Sequence, residues 1–252
     1  MIKRNEYVLG DVIEREEFFD GRYGAPGEKR QKKKKATPEQ MRYINAYNKA
    51  KRARHRLLLY FDEGDWLVTL TYKKEERPPD IKTVKKHLKK FTDKLREEYR
   101  KRGKELFWIR NIENNTRNNF HIHLVVKDIP DANVIKILNR LWTHGMISSP
   151  KPLYKTGGFR KLAEYITKDE HSTKEMLGEI LDHKVTEACY STSRNMPLKP
   201  PDIKKLKRWP KEPREKKGYY IDKESYFEGI NPVTGCKYRR YTMYRIIPHR
   251  RI

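Results

Sequence analysis

The sequence predicts an α+β fold in which helices pack on one face of a central antiparallel sheet. Apolar residues alternate along short segments rich in β-branched and aromatic side chains, and stretches with a helical period separate these segments. Their order along the chain is β-α-β-β-α-β-α, and such an order is typical of a ferredoxin-like α+β sandwich.

The first two elements follow Asp65. The segment WLVTLTY at 66–72 is β-branched and aromatic, and it predicts a strand. A long amphipathic helix comes next, capped by Asp80 and ending near Gly103, because apolar residues recur three and four positions apart. These apolar residues are Ile81, Val84, Leu88, Phe91, Leu95 and Tyr99.

The following elements are a hairpin and two further helices. Two apolar runs within 107–127 flank a polar cluster of turn-forming residues at 114–119, and this pattern predicts a β-hairpin. A second helix is predicted from about Asp131 to Gly145, then a short extended piece, and then a third helix over 159–168.

Basic extensions flank this central part, which we place at residues 61–185. Residues 1–60 are predicted to be an N-terminal extension that is partly helical, with Thr37 as a cap and Pro38 in the first turn. Residues 186–252 are predicted to be a C-terminal extension whose last part alternates as a small β-hairpin would. The segment at 171–184 has the pattern of a further helix. The basic run GEKRQKKKK would either follow phosphates or form a solvated tail.

The charge of the chain favours a polyanionic partner. Its 252 residues have a formal net charge of +25, a pI near 9.9 and a mean hydropathy of −1.03. Nucleic acid is the partner that such a balance favours most, and 16 Tyr, 8 Phe and 4 Trp suit stacking on unpaired bases. Two plainer readings stay open: a core of aromatics with a solvated charged rim, and a basic ribosome-associated or RNA-associated protein.

Several classes of protein are disfavoured by what the sequence contains. The two cysteines, Cys189 and Cys236, have no CxxC spacing, which argues against a disulfide framework or zinc ribbon and fits a reducing cytoplasm. The first residues are charged throughout, unlike a signal peptide, and no apolar run is long enough to cross a membrane. Gly235-Cys236-Lys237 lacks the spacing of a phosphate loop, so no ATPase motor is expected.

The second strand of the predicted hairpin places two imidazoles on one face. Alternation puts His121 and His123 on the side opposite Phe120 and its apolar neighbours, about 7 Å apart along the strand. If Glu113 pairs with His121, its carboxylate joins them, and such a set is suited to a divalent metal. A single strand histidine is more often an ordinary interior or surface residue, so that reading stays open.

The third predicted helix contains a candidate nucleophile. Tyr165 and Lys168 are three residues apart and therefore share one side of the helix. A tyrosine near a divalent metal can attack phosphodiesters, and the lysine can neutralise the phosphate or the phenolate. Taken alone, a tyrosine and a lysine on a basic helix are usually surface residues.

Together these motifs resemble the three motifs of HUH-type single-tyrosine rolling-circle replication initiators of bacterial plasmids, phages and related mobile elements. The resemblance covers about residues 60–170. In it, Thr69-Leu70-Thr71 matches the first strand motif, and the other matching residues are the metal ligands Glu113, His121 and His123, the nicking tyrosine Tyr165 and its companion Lys168. YSTSRNMPLKP at 190–200 and NPVTGCKYRRY at 231–241 are similar to segments of replication proteins from mobile elements and phages.

The resemblance implies a ferredoxin-like HUH endonuclease domain at 61–185 that nicks single-stranded or hairpin origin DNA. Mg²⁺ or Mn²⁺ would polarise the scissile phosphate, and Tyr165 would form a 5′-phosphotyrosine and leave a free 3′-OH. A host helicase and a host polymerase are the implied partners, and no membrane is involved. No second tyrosine follows Tyr165 at three or four residues, which disfavours a two-tyrosine mechanism. The fallback nucleophiles are Tyr154, Tyr190, Tyr219 and Tyr220.

Two other functions fit the same residues. A single-tyrosine transposase would use the same metal ligands and the same nucleophile. A nucleic-acid-binding module could retain the fold and the basic surface without the catalytic activity.

Overall fold

The structure, a computed structural model, describes residues 1–20, 35–115, 119–169, 185–231 and 235–246. All of the predicted basic run except Lys35 lies outside these residues. The helix predicted at 171–184 also lies outside them, as do three residues of the predicted hairpin turn.

The described residues form eleven β-strands and four α-helices. The strands are β1 (Ile2–Leu9), β2 (Val12–Phe19), β3 (Trp66–Leu70), β4 (Trp108–Asn115), β5 (Phe120–Val126), β6 (Ile147–Pro152), β7 (Val185–Thr192), β8 (Asp202–Leu206), β9 (Tyr219–Ile221), β10 (Phe227–Ile230) and β11 (Lys237–Arg245). The helices are α1 (Pro38–Tyr60), α2 (Ile81–Lys101), α3 (Val134–Leu141) and α4 (Arg160–Ile166).

The chain divides into two compact units. One contains residues 1–45 and 198–252, and the other contains residues 46–197. These boundaries differ from the predicted ones at 60/61 and 185/186. The physical reason is strand pairing: β7 is hydrogen-bonded to β4, and strands from the two ends of the chain share one sheet.

The unit of residues 46–197 is built on a five-stranded antiparallel sheet in the order β6-β3-β5-β4-β7. The predicted hairpin is present as β4 and β5, with Glu113 paired opposite His121. On one face, buried side chains of α2 and α3 join those of the strands in a single apolar core. Asp80 caps α2 as expected, since its carboxylate accepts a hydrogen bond from the backbone N–H of Thr83 at 2.7 Å.

The opposite face of the same sheet is covered by α4 and its neighbour α1. Side chains of α4 and of Lys168 just after it contact residues of β4 and β5 that point away from the apolar core. Arg54 of α1 donates a hydrogen bond to the carbonyl oxygen of Gly158 just before α4, at 2.7 Å. The structure thus differs from the expectation that all helices share one face, because α4 carries polar side chains that meet the polar face of the hairpin.

Helix α1 begins where the sequence predicts. Thr37 and Gln40 form a capping box, in which each backbone N–H donates to the other side chain, at 3.0 and 3.2 Å. Such reciprocal bonds satisfy two amide donors that the first turn of a helix leaves without partners.

The other unit contains a six-stranded antiparallel sheet, in which β10-β11-β2-β1-β8 form the main order and β9 pairs with β11. Charged side chains pair across the middle strands. Glu17 contacts Arg4 at 2.6 Å and Arg239 at 2.7 Å, and Arg15 contacts Glu6 at 2.6 Å. The strands β1 and β2 were missed by the sequence analysis, which treated this region as part of an extension.

The α+β prediction with antiparallel sheets is confirmed. Among the described residues, no helix combines the length and the apolar character that crossing a bilayer requires.

Candidate active site

The polar face of the hairpin is organised around His123. In the sheet, His123 of β5 lies between Thr69 of β3 and Asn111 of β4, and its neighbour His121 is paired with Glu113. Because side chains alternate along strands, these five residues share the face opposite the apolar core. The Thr69 hydroxyl lies 3.1 Å from Nδ1 of His123.

Helix α4 brings a tyrosine over this face, and a lysine follows just after the helix. The hydroxyl oxygen of Tyr165 lies 3.2 Å from Nδ1 and 3.3 Å from Nε2 of His123, and the two rings meet edge to face. The ammonium of Lys168 lies 4.2 Å from the centroid of the Tyr165 ring. A positive charge over an aromatic ring is attracted to its electrons, so Lys168 holds the tyrosine ring in place.

A left-handed turn sets the position of α4. Gly157, Gly158 and Phe159 have φ values of 62°, 57° and 59°, which only the two glycines adopt at no steric cost. Phe159 is buried, and its packing compensates for the strained backbone. The turn reverses the chain immediately before the helix that carries Tyr165.

The carboxylate of Glu113 is buried and surrounded by donors. Its Oε1 accepts a hydrogen bond from Nδ2 of Asn111 at 3.1 Å, and its Oε2 lies 3.3 Å from Nε2 of His123 and 3.1 Å from Nζ of Lys168. Burial alone would raise the pKa of Glu113, but hydrogen bonds and charge from His123 and Lys168 outweigh it and lower that pKa. Glu113 is therefore ionised at neutral pH.

Asn111 connects the strand to the end of the helix. The same amide nitrogen that bonds Glu113 also donates to the backbone oxygen of Lys168, at 2.8 Å. The sequence analysis missed Asn111, although a signal was present: it lies two residues before Glu113 and so shares its face of the strand.

The predicted metal ligands are only partly brought together. Glu113 and His123 are in contact, whereas Nε2 of His121 lies 3.0 Å from Nδ2 of Asn119. In the described parts of the chain, no three His, Cys, Asp or Glu side chains converge as a metal site requires. By type, an ionised carboxylate beside imidazole nitrogens suits Mn²⁺ or Mg²⁺. Completing such a set requires the His121 ring to turn towards its cross-strand partner Glu113 and the ammonium of Lys168 to give way.

The fallback tyrosines occupy different environments. Tyr190 of β7 is paired with Asn111 and shares the polar face, but burial raises its pKa to about 12, despite an opposing effect of Arg56. A phenol that holds its proton so firmly is a weaker nucleophile than one at its ordinary pKa. Tyr154 is exposed after β6, and the pair Tyr219-Tyr220 belongs to the other unit.

Similarity to known proteins covers the same part of the chain. Residues 65–170 match the sequence model of the replication-associated protein ORF2 family. The matched range contains β3, the hairpin and α4, and with them every residue placed above around His123. The similarity indicates a role in DNA replication and is consistent with a rolling-circle initiator. No curated protein sequence and no solved structure matches the chain.

Proposed function

We propose that this protein is a metal-dependent endonuclease and strand transferase that nicks a replication origin in single-stranded DNA. Its HUH endonuclease domain, of ferredoxin-like type, would occupy about residues 61–185. The observation that supports this most is the contact between the Tyr165 hydroxyl and the His123 ring, inside the range similar to replication-associated proteins.

In the proposed reaction, Tyr165 attacks a phosphodiester of the bound strand. The bond between phosphorus and the tyrosine oxygen forms as the bond between phosphorus and the 3′ oxygen breaks. The phenol gives its proton to solvent, and the departing 3′ oxygen takes up a proton. The products are a 5′-phosphotyrosine and a free 3′-OH, which a host polymerase extends. The reverse reaction joins a 3′-OH to the phosphotyrosine.

The charged groups around Tyr165 suit this chemistry. The ammonium of Lys168, 4.2 Å from the ring centroid, stabilises negative charge on the phenolate and on the phosphate. Glu113 holds that ammonium, and Asn111 holds both Glu113 and the end of α4. A bound Mg²⁺ or Mn²⁺, held by Glu113, His121 and His123, would polarise the scissile phosphate.

The test is incubation with short single-stranded oligonucleotides and Mn²⁺, followed by a denaturing gel and intact mass. A covalent adduct is expected for the parent protein and for Tyr190→Phe, and none for Tyr165→Phe or after addition of EDTA. Tyr190→Phe is the matched control because it removes a hydroxyl from the same face of the sheet.

Two outcomes would count against the proposal. An adduct that persists with Tyr165→Phe would show that another residue is the nucleophile. Binding without any adduct, across a broad pool of sequences, would indicate the non-catalytic nucleic-acid-binding module instead.

A further inference from the structure

A basic cavity lies at the other end of β4 from Glu113. It has a volume of about 910 Å³ and is formed by the last turns of α2, the segment that leads into β4, and the segment that follows β7. That last segment belongs to the stretch YSTSRNMPLKP, which the proposed nicking reaction does not use. Trp108, which lines the cavity, lies five residues from Glu113 on the same strand, or about 17 Å.

Three cations at this cavity have no anionic partner. The side chains of Arg100, Lys104 and Arg194 make no ion pair or hydrogen bond with any described residue. The one carboxylate in the lining, that of Glu105, accepts a hydrogen bond from Asn195 at 2.8 Å. The cavity therefore presents uncompensated positive charge, which favours an anionic ligand.

The segment after β7 is held firmly in place. The backbone N–H of Ser193 donates to the carbonyl of Trp108 at 2.9 Å, and the Ser193 hydroxyl accepts from the N–H of Trp108 at 3.3 Å. Asn195 also donates to the carbonyl of Leu106, and the backbone carbonyl of the buried Met196 accepts from Arg56. As an acceptor in its bond, the Ser193 hydroxyl retains its own proton for donation to a ligand.

We propose that this cavity binds the phosphate of a nucleotide, either a free nucleotide or one within a single strand. Guanidinium groups match phosphate oxygens with paired N–H donors, and Arg100 and Arg194 supply two of them. The volume lies in the range of small-molecule sites, and the apolar wall of Leu106 and Trp108 is suited to packing against the sugar or base.

The experiment compares two double variants of the full chain, both made in the Tyr165→Phe background and measured in EDTA. Arg100→Ala with Arg194→Ala removes two charges from the cavity. Lys85→Ala with Lys86→Ala removes two charges from an exposed part of α2, about 20 Å along the helix. Equal thermal unfolding midpoints and equal circular dichroism establish that both remain folded.

Binding is measured by fluorescence anisotropy with a labelled twelve-residue oligo-dT and by calorimetry with dTMP and inorganic phosphate. The cavity variant is expected to bind the oligonucleotide about five- to tenfold more weakly. The slope of log affinity against log salt should decrease in magnitude by about 1.4, since each phosphate contact on a single strand contributes about 0.7. The control variant should lose less than about twofold.

The arms separate the two sources of phosphate. Binding of dTMP that is lost only in the cavity variant assigns a free-nucleotide site, and an effect confined to the oligonucleotide assigns a strand contact. Equal losses in both double variants, or none in either, would overturn the proposal. The readout requires neither metal nor the Tyr165 hydroxyl, so it stands or fails separately from the nicking activity.

Discussion

The ammonium of Lys168 lies 3.1 Å from Oε2 of Glu113, and each side chain is only 1% exposed. This buried ion pair joins the strand β4 to the residue that follows α4 closely. Removing one partner of such a pair leaves an uncompensated charge in a medium that solvates it poorly. The pair thus links the stability of the fold to the position of Tyr165.

Lys168→Met should destabilise the protein by about 3 kcal/mol, because it leaves the Glu113 carboxylate buried without its cation. Urea denaturation followed by circular dichroism measures the change. Lys161→Met, an exposed lysine on the same helix, is the control and should stay within about 0.5 kcal/mol of the parent. Adding Glu113→Gln to Lys168→Met should recover part of the loss, and an unchanged midpoint for Lys168→Met alone would refute the argument.

The stability of the protein should depend on the ionisation of Glu113. Its pKa in the folded state lies below the ordinary value of 4.5, so its contribution is fully present above pH 4.5. As the pH falls through the folded pKa, the proton binds and the contribution is lost. The difference in unfolding free energy between the parent and Glu113→Gln should therefore be constant near neutrality and shrink below pH 4.5.

Urea titrations at a series of pH values measure this difference. Glu97→Gln, an exposed glutamate on α2, serves as the control and should change the unfolding free energy by less than about 0.5 kcal/mol. A difference for Glu113→Gln that grows as the pH is lowered would contradict the lowered pKa.

Asn111→Ala should raise the Mn²⁺ concentration for half-maximal nicking about tenfold, because it removes the amide that orients Glu113 and the end of α4. Nicking rates across a manganese titration measure this shift. Asn139→Ala, on the exposed surface of α3, should leave the titration unchanged. A lower maximal rate with an unchanged manganese midpoint would show that Asn111 does not act through the metal ligands.

Gly145→Ala should destabilise the unit of residues 46–197 by about 1–3 kcal/mol. A Cβ atom at this position would lie 1.9 Å from the carbonyl oxygen of Thr71, which also accepts a hydrogen bond from the indole of Trp142. The neighbouring atoms are backbone and cannot rotate away. Thermal unfolding measures the loss.

Gly229→Ala is the contrasting case for that measurement. The nearest atom to its added Cβ, at 2.9 Å, belongs to the Phe227 ring, which can turn aside. Its effect should be below about 1 kcal/mol, and an equal loss for both variants would show that the backbone contact of Gly145 is not the cause.

The elements around the candidate site could be predicted because their periodicity is undisturbed. In β5, Phe120 and Ile122 enter the core while His121 and His123 face the other way, so alternation alone gives the orientation of both histidines. The pairing of Glu113 with His121 followed from the hairpin. The contact between Tyr165 and His123 depends on the docking of α4, which no local pattern specifies.

The strands β1 and β2 could not be recognised in the same way. Glu6, Arg15 and Glu17 occupy inward positions where a strand pattern normally has apolar residues. Each is buried only because an opposite charge on a neighbouring strand neutralises it. Since the partners are distant in sequence, a local reading finds an ordinary charged surface.

The pairing of β2 with β11 also affects the order in which the chain folds during synthesis. Phe18 lies in register with Tyr238, so the ribosome must release almost the whole polypeptide before this sheet can close. All strands of the five-stranded sheet have emerged by then. Until β11 arrives, β2 has an unsatisfied edge, and nascent chains are most exposed to aggregation or chaperone binding during this interval.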